Sequence, residues 1–320
     1  MKIPCFVAAM LLSCVSAAQA QDFPTRQITI IVGVSPGGIT DLATRAYANA
    51  VAKNTGWKIV VENRTGAGGA VAAKAVESAA PDGYTLLTVV GAQLASIPAM
   101  QDPPPFDPIG GFRPITLTFR LAQLLAVPAD SPAKTLAELL ALAKKKDGGL
   151  SFGTPGAGSP AHLLGAKIGL ATGTPMQFVH YRGGPPMMAD LVTGRIDFGL
   201  VSYIAAKPQI DDRKLKGLVI DSEARIAQIP DVPTLIEAGL ARERVANWFG
   251  LAAPAGTPDA VVKKLNDEFV RASKDPDVIK QLERSGAQVA TSTPDEMAKL
   301  LAAEVASMTT LIKALGLRKE

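Results

Sequence analysis

Short runs of β-branched residues alternate with helical patterns along most of the chain, and this alternation limits the fold more than any other feature. The run ITIIV at 28–32 precedes a helical pattern at 41–54, and further runs begin at 58 and 84. Such alternation predicts parallel strands joined by right-handed crossovers. It restarts beyond residue 127, and no Gly/Ser-rich linker separates the halves. The sequence therefore predicts an α/β protein whose chain crosses between two lobes more than once.

The first 20 residues differ from the rest and have the pattern of a secretory leader. Lys2 precedes an apolar stretch over 3–12, and small residues lead to Ala-Gln-Ala at 18–20. This pattern predicts a signal peptide over residues 1–20 and a periplasmic product that begins near Gln21. The alternative is a lipid anchor at Cys14, because the residues before it loosely resemble a lipoprotein cleavage box. No later segment has the roughly 18 unbroken apolar residues of a membrane helix.

The cysteines, histidines and charges exclude several function classes. Cys5 and Cys14 both lie in the leader, so the mature chain has no thiol for a disulfide, for catalysis or for a metal. His162 and His180 make a poor ligand set without cysteine, and we expect no metal and no cofactor. The net charge is only +4, and there is no long basic run. Nucleic acid is therefore not an expected partner.

The loop after the first strand resembles the nucleophile elbow of α/β-hydrolases. Residues 33–37, GVSPG, match G-x-S-x-G between an apolar run and a helical pattern. In that elbow the residue after the serine donates its N–H to the oxyanion. Here that residue is Pro36, which has no N–H. An esterase that uses Ser35 remains an alternative, but the sequence argues against it.

A second loop fits the dinucleotide fingerprint. Residues 156–161, GAGSPA, match G-x-G-x-x-A after a strand, and Arg182 follows the next strand, where it could favour a 2′-phosphate. However, Pro160 opens the helix without an N–H, and no acidic residue ends that strand. An NADP-dependent enzyme that uses Gly156 to Gly158 is the other enzymatic alternative.

Both loops share one plan: a strand, a Gly/Pro turn with a hydroxyl, and a helix. A glycine-rich turn at a helix N-terminus offers unpaired N–H groups and about half a positive charge. Most such turns only cap a helix, and Thr40 or Asp41 is placed to do so here. Two such loops, one from each lobe, would form an anion site across a cleft. We therefore expect a receptor for a small anion, with no catalytic residue.

A series of motifs along nearly the whole mature chain resembles one family. They are ITIIVGVSPGGITDLATR, VVENRTGAGG, AAPDGYTLL, FRPIT, GSPAHL, YRGGPPMMADLVTGRIDFG, DVPTLIEAGL and WFGLAAPAGTP. Their order and spacing are similar to those of the receptors of tripartite tricarboxylate transporters, also called Bug receptors. The resemblance implies a type II periplasmic binding fold, in which a hinge joins two α/β lobes around a ligand cleft. It implies a lobe of residues 21–121 plus 244–320, and a second of 122–243.

The resemblance also implies the partners and the site. The partners would be a small organic carboxylate and either membrane permease subunits or a sensor protein, and the receptor would be a monomer. Family members hold the carboxylate through the first strand–helix loop and through loops of the second lobe. Carried over by position, the contacts are Ser35, Gly37, Gly38, Ile39, Thr40, Asp41, Gly91, Ala92, Gln93, Thr154, Gly158, Ser159, His162, Val201 and Ser202.

Two departures from the family pattern concern the ligand. The family usually has an aromatic residue and a second proline where Val34 and Ser35 stand. It often has an aspartate where Val201 stands, and valine cannot pair with an amino group. An ammonium against an apolar wall costs several kcal/mol. We therefore expect a carboxylate without a free α-amino group, with an apolar or aromatic body, and rank tricarboxylates lower.

Overall fold

The computed structural model describes residues 23–156, 159–181, 183–222, 224–226, 228–240, 247–314 and 316. The predicted signal peptide and Cys14 lie outside these residues. The strands are β1 (Ile28–Val32), β2 (Ile59–Asn63), β3 (Thr85–Val90), β4 (Phe112–Leu121), β5 (Gln123–Pro128), β6 (Leu150–Thr154), β7 (Met176–His180), β8 (Phe198–Ser202), β9 (Leu215–Asp221), β10 (Trp248–Pro254) and β11 (Ala287–Val289). The helices are α1 (Ile39–Thr55), α2 (Ala70–Glu77), α3 (Gly91–Ala99), α4 (Leu136–Lys145), α5 (Pro160–Thr172), α6 (Gly184–Val192), α7 (Tyr203–Asp211), α8 (Asp259–Ala272), α9 (Pro276–Arg284) and α10 (Pro294–Ala314).

The strands form two separate sheets, each flanked by helices. The first sheet has the order β11-β4-β10-β3-β1-β2, and the second has the order β7-β6-β8-β5-β9. The first sheet therefore takes strands from both ends of the chain, whereas the second is built from one continuous stretch. The chain leaves the first sheet after β4 and returns to it at β10, which agrees with the predicted repeated crossing.

The sheets are mixed, which corrects the expectation of parallel sheets. Strands β1, β2 and β3 are parallel, and so are β6, β7 and β8. Strand β10 runs antiparallel to β3 and β4, and β5 runs antiparallel to β8 and β9. The reason is that β5 and β10 enter their sheets from the other sheet. Each therefore starts at the edge where the parallel strands end.

The helix ends follow the capping signals of the sequence. Glu138 N–H donates to Thr135 Oγ1 at 3.2 Å before α4, and Glu296 N–H donates to Thr293 Oγ1 at 3.2 Å before α10. At α10 the capping box is complete, because Thr293 N–H donates to Glu296 Oε2 at 2.8 Å. Helix α1 begins at Ile39, two residues before the expected start. Leu42 is 40% exposed, and Ala43, Tyr47 and Val51 form the buried face of the helix.

One apolar cluster joins the two sheets. Ala92 and Ala95 of α3 belong to a cluster with Leu163 and Leu164 of α5, and Met308 of α10 joins it. The cluster therefore contains residues from the helices that follow β3 and β6, together with α10. Within the described part of the chain, no helix is both long and apolar enough to cross a membrane.

Candidate functional site

The carboxyl ends of the parallel strands of both sheets meet where the chain crosses between them. A single residue, Ala122, separates β4 from β5, and its carbonyl accepts a hydrogen bond at 3.1 Å from the N–H of Tyr203, just after β8. Gln123 pairs with Ser202, and on the other sheet Phe249 pairs with Val90. In α/β proteins, ligands bind outside the carboxyl ends of parallel strands. This junction is therefore the base of the candidate site.

The loop between β1 and α1 lies at this edge of the first sheet and is open to solvent. Ser35, Pro36, Gly37 and Gly38 are all exposed. Gly38 is the N-cap of α1 with an extended backbone (φ −73°, ψ 164°), and this helix has no side-chain capping hydrogen bond. The first backbone bond of the helix is Leu42 N–H to Gly38 O at 3.0 Å. The N–H groups of the three preceding residues have no intrahelical acceptor, as in every α-helix.

Asp41 holds the shape of this loop and is not the helix cap. Its side chain is 3% exposed. Its Oδ2 accepts from Gly37 N–H at 2.9 Å, and its Oδ1 accepts from Arg45 Nε at 3.0 Å and from Asn63 Nδ2 at 2.9 Å. Burial alone would raise the pKa of Asp41, but these three donors and the Arg45 charge lower it. The N-cap is Gly38, so neither Thr40 nor Asp41 fills the capping role expected for it.

Gly91, Ala92 and Gln93, which the resemblance implied as ligand contacts, form the first turn of α3. Gly91 and Ala92 are buried, and Gln93 is partly exposed. A Cβ on Gly91 would lie 2.2 Å from Trp248 Cε2, so only glycine fits against this indole. Of these three residues, Gln93 is therefore the one whose side chain is available for contacts at the strand ends.

The second lobe places the predicted β6–α5 residues at the corresponding edge of its sheet. Thr154 ends β6 and is fully buried. Ser159 caps α5, and its Oγ accepts from His162 N–H at 3.3 Å. His162 is 4% exposed, and its ring centroid lies 4.7 Å from that of Phe178. Gly158 lies outside the described residues.

Val201 and Ser202 end β8 but differ in their surroundings. Val201 is 3% exposed and belongs to an apolar cluster with Leu124, Met187 and Tyr203. Its side chain thus lies in the core of the second lobe. Ser202 is partly exposed at the strand end, next to Gln123. Of the two residues, Ser202 is therefore the one whose side chain is available for contacts at the sheet edge.

The structure adds His180, which sequence reasoning left out. His180 ends β7 directly beside Thr154, and its Nδ1 lies 2.7 Å from Thr154 Oγ1. Its ring is 4.7 Å from that of His162. Burial first, and then the charge of His180, lowers the pKa of His162 to about 4. The sequence signal was available, since two neighbouring parallel strands both end in polar residues.

Neither alternative chemistry gains support from the geometry. Ser35 stands four residues before α1, so it is not on the tight strand-to-helix turn of a nucleophile elbow. Pro160 is the first residue of α5, so that helix lacks one of the N–H groups that would hold a pyrophosphate. Among the described residues, no three His, Asp or Glu side chains are close enough to hold a metal ion.

A family model described as the tripartite tricarboxylate transporter family receptor matches residues 43–317. The chain belongs to this family. Protein BugT of Bordetella pertussis is 30% identical to it over 93% of this chain and 91% of that protein. The receptor is therefore a relative of the Bug proteins, and the resemblance found in the sequence is confirmed.

Solved structures of the family share the fold. A TctC solute binding protein from Polaromonas has a TM-score of 0.83 and 30% identity, covering 92% of this chain and 100% of that one. MatC from Rhodopseudomonas palustris, with bound malate, has a TM-score of 0.72 and 32% identity, covering 91% of this receptor and 100% of MatC. The expected two-lobed periplasmic binding fold is confirmed.

Proposed function

We propose that this receptor is exported to the periplasm and captures a small organic carboxylate between its two lobes. The ligand is then passed to a tripartite tricarboxylate-type permease or read by a sensor protein. Malate bound to the related MatC supports the ligand class. The lobes would be residues 21–121 plus 244–320 and residues 122–243, moving as a hinge around the crossings at Ala122 and between β9 and β10.

The arrangement of the β1–α1 loop carries this proposal. It is exposed, lies at the carboxyl edge of the first sheet and leads into a helix N-terminus without a side-chain cap. Such a terminus attracts an anion through its N–H groups and dipole. Gly37 N–H is occupied by Asp41, so the N–H groups of residues 38–40 are the ones that would hold the carboxylate. Asp41 itself positions the loop instead of contacting the ligand.

The second lobe would close over the ligand with the ends of its parallel strands. Thr154, Ser159 and His162 are gathered at the start of α5, and Ser202 ends the neighbouring strand β8. In the first lobe, Gln93 follows β3, which pairs with β1. Ser159, Ser202 and Gln93 are partly exposed and offer neutral hydrogen bonds, which suit a bound anion that is released unchanged, whereas Thr154 and His162 are buried. We accordingly propose a receptor without catalytic activity, acting as a monomer after loss of residues 1–20.

Two substitutions at Gly38 test the loop directly. Gly38 has φ −73°, a value that proline also adopts, and a Cβ there meets only Ser35 O at 3.6 Å. Gly38→Pro removes the N–H, whereas Gly38→Ala keeps it. With malate and a panel of other carboxylates in isothermal titration calorimetry, we expect Gly38→Pro to lose at least tenfold in affinity, about 1.4 kcal/mol. Gly38→Ala should stay within threefold of the parent.

The same experiment can contradict the proposal. If the proline and alanine variants bind the carboxylate equally tightly and are equally stable to heat, the backbone N–H groups of the loop do not hold the carboxylate. Turnover of an ester or of a nicotinamide substrate that disappears in Ser35→Ala protein would show that the receptor is an enzyme. If neither the parent nor the two variants bind any carboxylate of the panel, the proposed ligand class is wrong.

A further inference from the structure

The free edge of the second sheet borders a groove that the proposed function does not use. Strand β9 is the last strand in the order of this sheet. Its carboxyl end is covered on the outer side, where Ile220 N–H donates to the carbonyl oxygen of Pro233 at 2.9 Å. Residues 215–218 instead line a groove of about 540 Å³, whose walls include the apolar side chains of Ile210 and Val232. An edge strand presents backbone N–H and C=O groups that can pair with another chain.

The groove is at the opposite end of the strands from the proposed carboxylate site. Strands β8 and β9 both run antiparallel to β5, so they are parallel to each other. Strand β9 therefore begins at the edge where the parallel strands of this sheet begin, whereas the carboxylate site lies at the edge where they end. A substitution in the groove thus does not touch the residues proposed to hold the carboxylate.

Two basic residues reach this edge from opposite faces of the sheet. Leu125 of β5 belongs to the apolar cluster of α4 and α5, and Leu124 belongs to that of α6 and α7, so these helix pairs cover opposite faces. Lys134 lies just before α4, and Arg213 lies just after α7. Both are exposed and line the groove. A chain bound in the groove would therefore meet a cation on each side.

The groove carries an excess of positive charge. Lys134, Arg213 and Lys216 line it together with Asp231, and Lys216 Nζ donates to Ser131 O at 2.6 Å. Lys134 and Arg213 form no salt bridge within the part of the chain that the structure describes. The aspartates just before Arg213 are each neutralised by a lysine, at 2.6 and 3.0 Å, in the pairs Lys207–Asp211 and Lys214–Asp212. Acidic side chains therefore complement the charge of this groove.

Arg213 has a backbone conformation that favours glycine. Its φ is +56°, and it follows α7 in a Schellman motif, in which Lys214 N–H donates to Gln209 O at 2.8 Å and Arg213 N–H donates to Ile210 O at 2.9 Å. Helices α5 and α6 end with the same pair of bonds, and there the left-handed residue is a glycine, Gly173 or Gly194. Arginine is strained in this position. Such strain indicates that the guanidinium has a use in the groove.

We infer that this groove docks an extended acidic segment of a partner protein, which pairs with residues 215–218 as an added strand. Four residues at about 3.3 Å each give about 13 Å of strand edge. Side chains of an added strand point alternately to the two faces, so two consecutive acids would meet Arg213 on one face and Lys134 on the other. The inference goes beyond the proposed function, since it does not need the carboxylate site.

The test uses three dye-labelled peptides with the mature chain. The probe is the amidated hexapeptide Thr-Val-Glu-Glu-Val-Thr. A Gln-Gln version removes its charges, and a version with N-methyl groups on both glutamates keeps the charges but blocks strand pairing. In fluorescence anisotropy, we expect the probe to bind about tenfold or more tightly than either control. Hydrogen exchange followed by mass spectrometry should show slower exchange of the amides of residues 215–218 with the probe bound.

The variants separate the groove from general charge. Arg213→Gly should weaken binding of the probe at least threefold while the melting temperature stays equal or rises, because glycine suits this φ. The double variant with Lys134→Gln should lose at least tenfold. Lys280→Gln removes an exposed cation from α9 of the first lobe and should bind within twofold of the parent. None of these changes should alter the affinity for a carboxylate.

Several results would overturn the inference. They are equal binding of the probe and either control peptide, a loss in Lys280→Gln as large as in Arg213→Gly, and no binding of the probe to the parent. Binding to phosphatidylglycerol vesicles that depends on Arg213, without binding of the probe, would assign the groove to a membrane surface and overturn it too. A parent that binds the probe but no carboxylate would contradict only the proposed function.

Discussion

Asp41 and Gly37 are joined by a hydrogen bond of 2.9 Å, in which the third residue of α1 reaches back to the loop that precedes the helix. Arg45 and Asn63 donate to the other carboxylate oxygen, so the loop, the helix and the end of β2 share one buried acceptor. The arrangement resembles the second half of a capping box. It gives Asp41 a structural part in forming the site.

Replacement of Asp41 by asparagine should destabilise the protein by about 2 kcal/mol, because the amide turns a donor toward Gly37 N–H or toward Arg45. The folded pKa of Asp41 is lowered, so its contribution is present at neutral pH and is lost as pH falls below about 4. Denaturant unfolding between pH 3 and 7 should therefore give a shallower acid limb for the variant.

A matched control for this change exists on α8. Asp267 also pairs with a cation four residues away, Lys263, at 2.6 Å, but both side chains are at least half exposed. Asp267→Asn should change the unfolding free energy by less than about 1 kcal/mol at every pH. A loss as large as that of Asp41→Asn would show that the cost comes from the ion pair and not from the loop.

Gly91 and Trp248 give a prediction about packing at the cleft edge. A methyl group on Gly91 would overlap the buried indole, with 2.2 Å to Cε2 and 2.5 Å to Cζ2. Gly91→Ala should cost about 1 to 3 kcal/mol of unfolding free energy, since the core must shift. Gly184, the first residue of α6, has nothing within 4 Å of a Cβ. Gly184→Ala should be neutral or stabilising in the same thermal melts, and equal losses in the two variants would contradict the packing argument.

Much of the fold was predictable because local sequence patterns determine it. Strand β1 has the limits of the ITIIV run at 28–32, and a local capping box of Thr293 and Glu296 stands at the start of α10. The direction of β5 and β10 was not predictable, because it depends on where the chain enters the other sheet. Helix α3 was missed, since the GAQLASIPA segment contains glycine and an internal proline.

The site was predictable in outline from the resemblance, but individual side chains were not. Val201 is buried among residues of α6 and α7, whereas His180 is exposed at the end of the edge strand β7. Likewise, the partners of Asp41 lie 4 and 22 residues away in sequence. Contacts between separate strands and helices decide these roles, and one sequence does not reveal such contacts.

His162 should make the protein sensitive to acid. Its pKa is lowered to about 4 by burial and by His180, so the folded state binds the proton less readily than the unfolded state. The resulting stability is complete above pH 6.5 and is lost as pH falls toward 4. His162→Phe keeps a ring against Phe178 and removes the titration, so its unfolding free energy should decline less between pH 6.5 and 4. An unchanged acid limb in denaturant unfolding would contradict this.

Glu304 should have the opposite pH dependence. It lies on α10, is 7% exposed, and its Oε1 has no hydrogen-bond partner among the described residues. Burial raises its pKa to about 7, with Asp221 adding to the rise and Lys167 opposing it. The folded state therefore holds the proton more tightly, and stability falls as pH rises from 4.5 to 7. Glu304→Gln should leave stability at pH 4 nearly unchanged and raise it at pH 8 by up to about 3 kcal/mol. Denaturant unfolding at these two pH values measures both, and a variant less stable than the parent at pH 8 would show that the ionised carboxylate has a favourable partner.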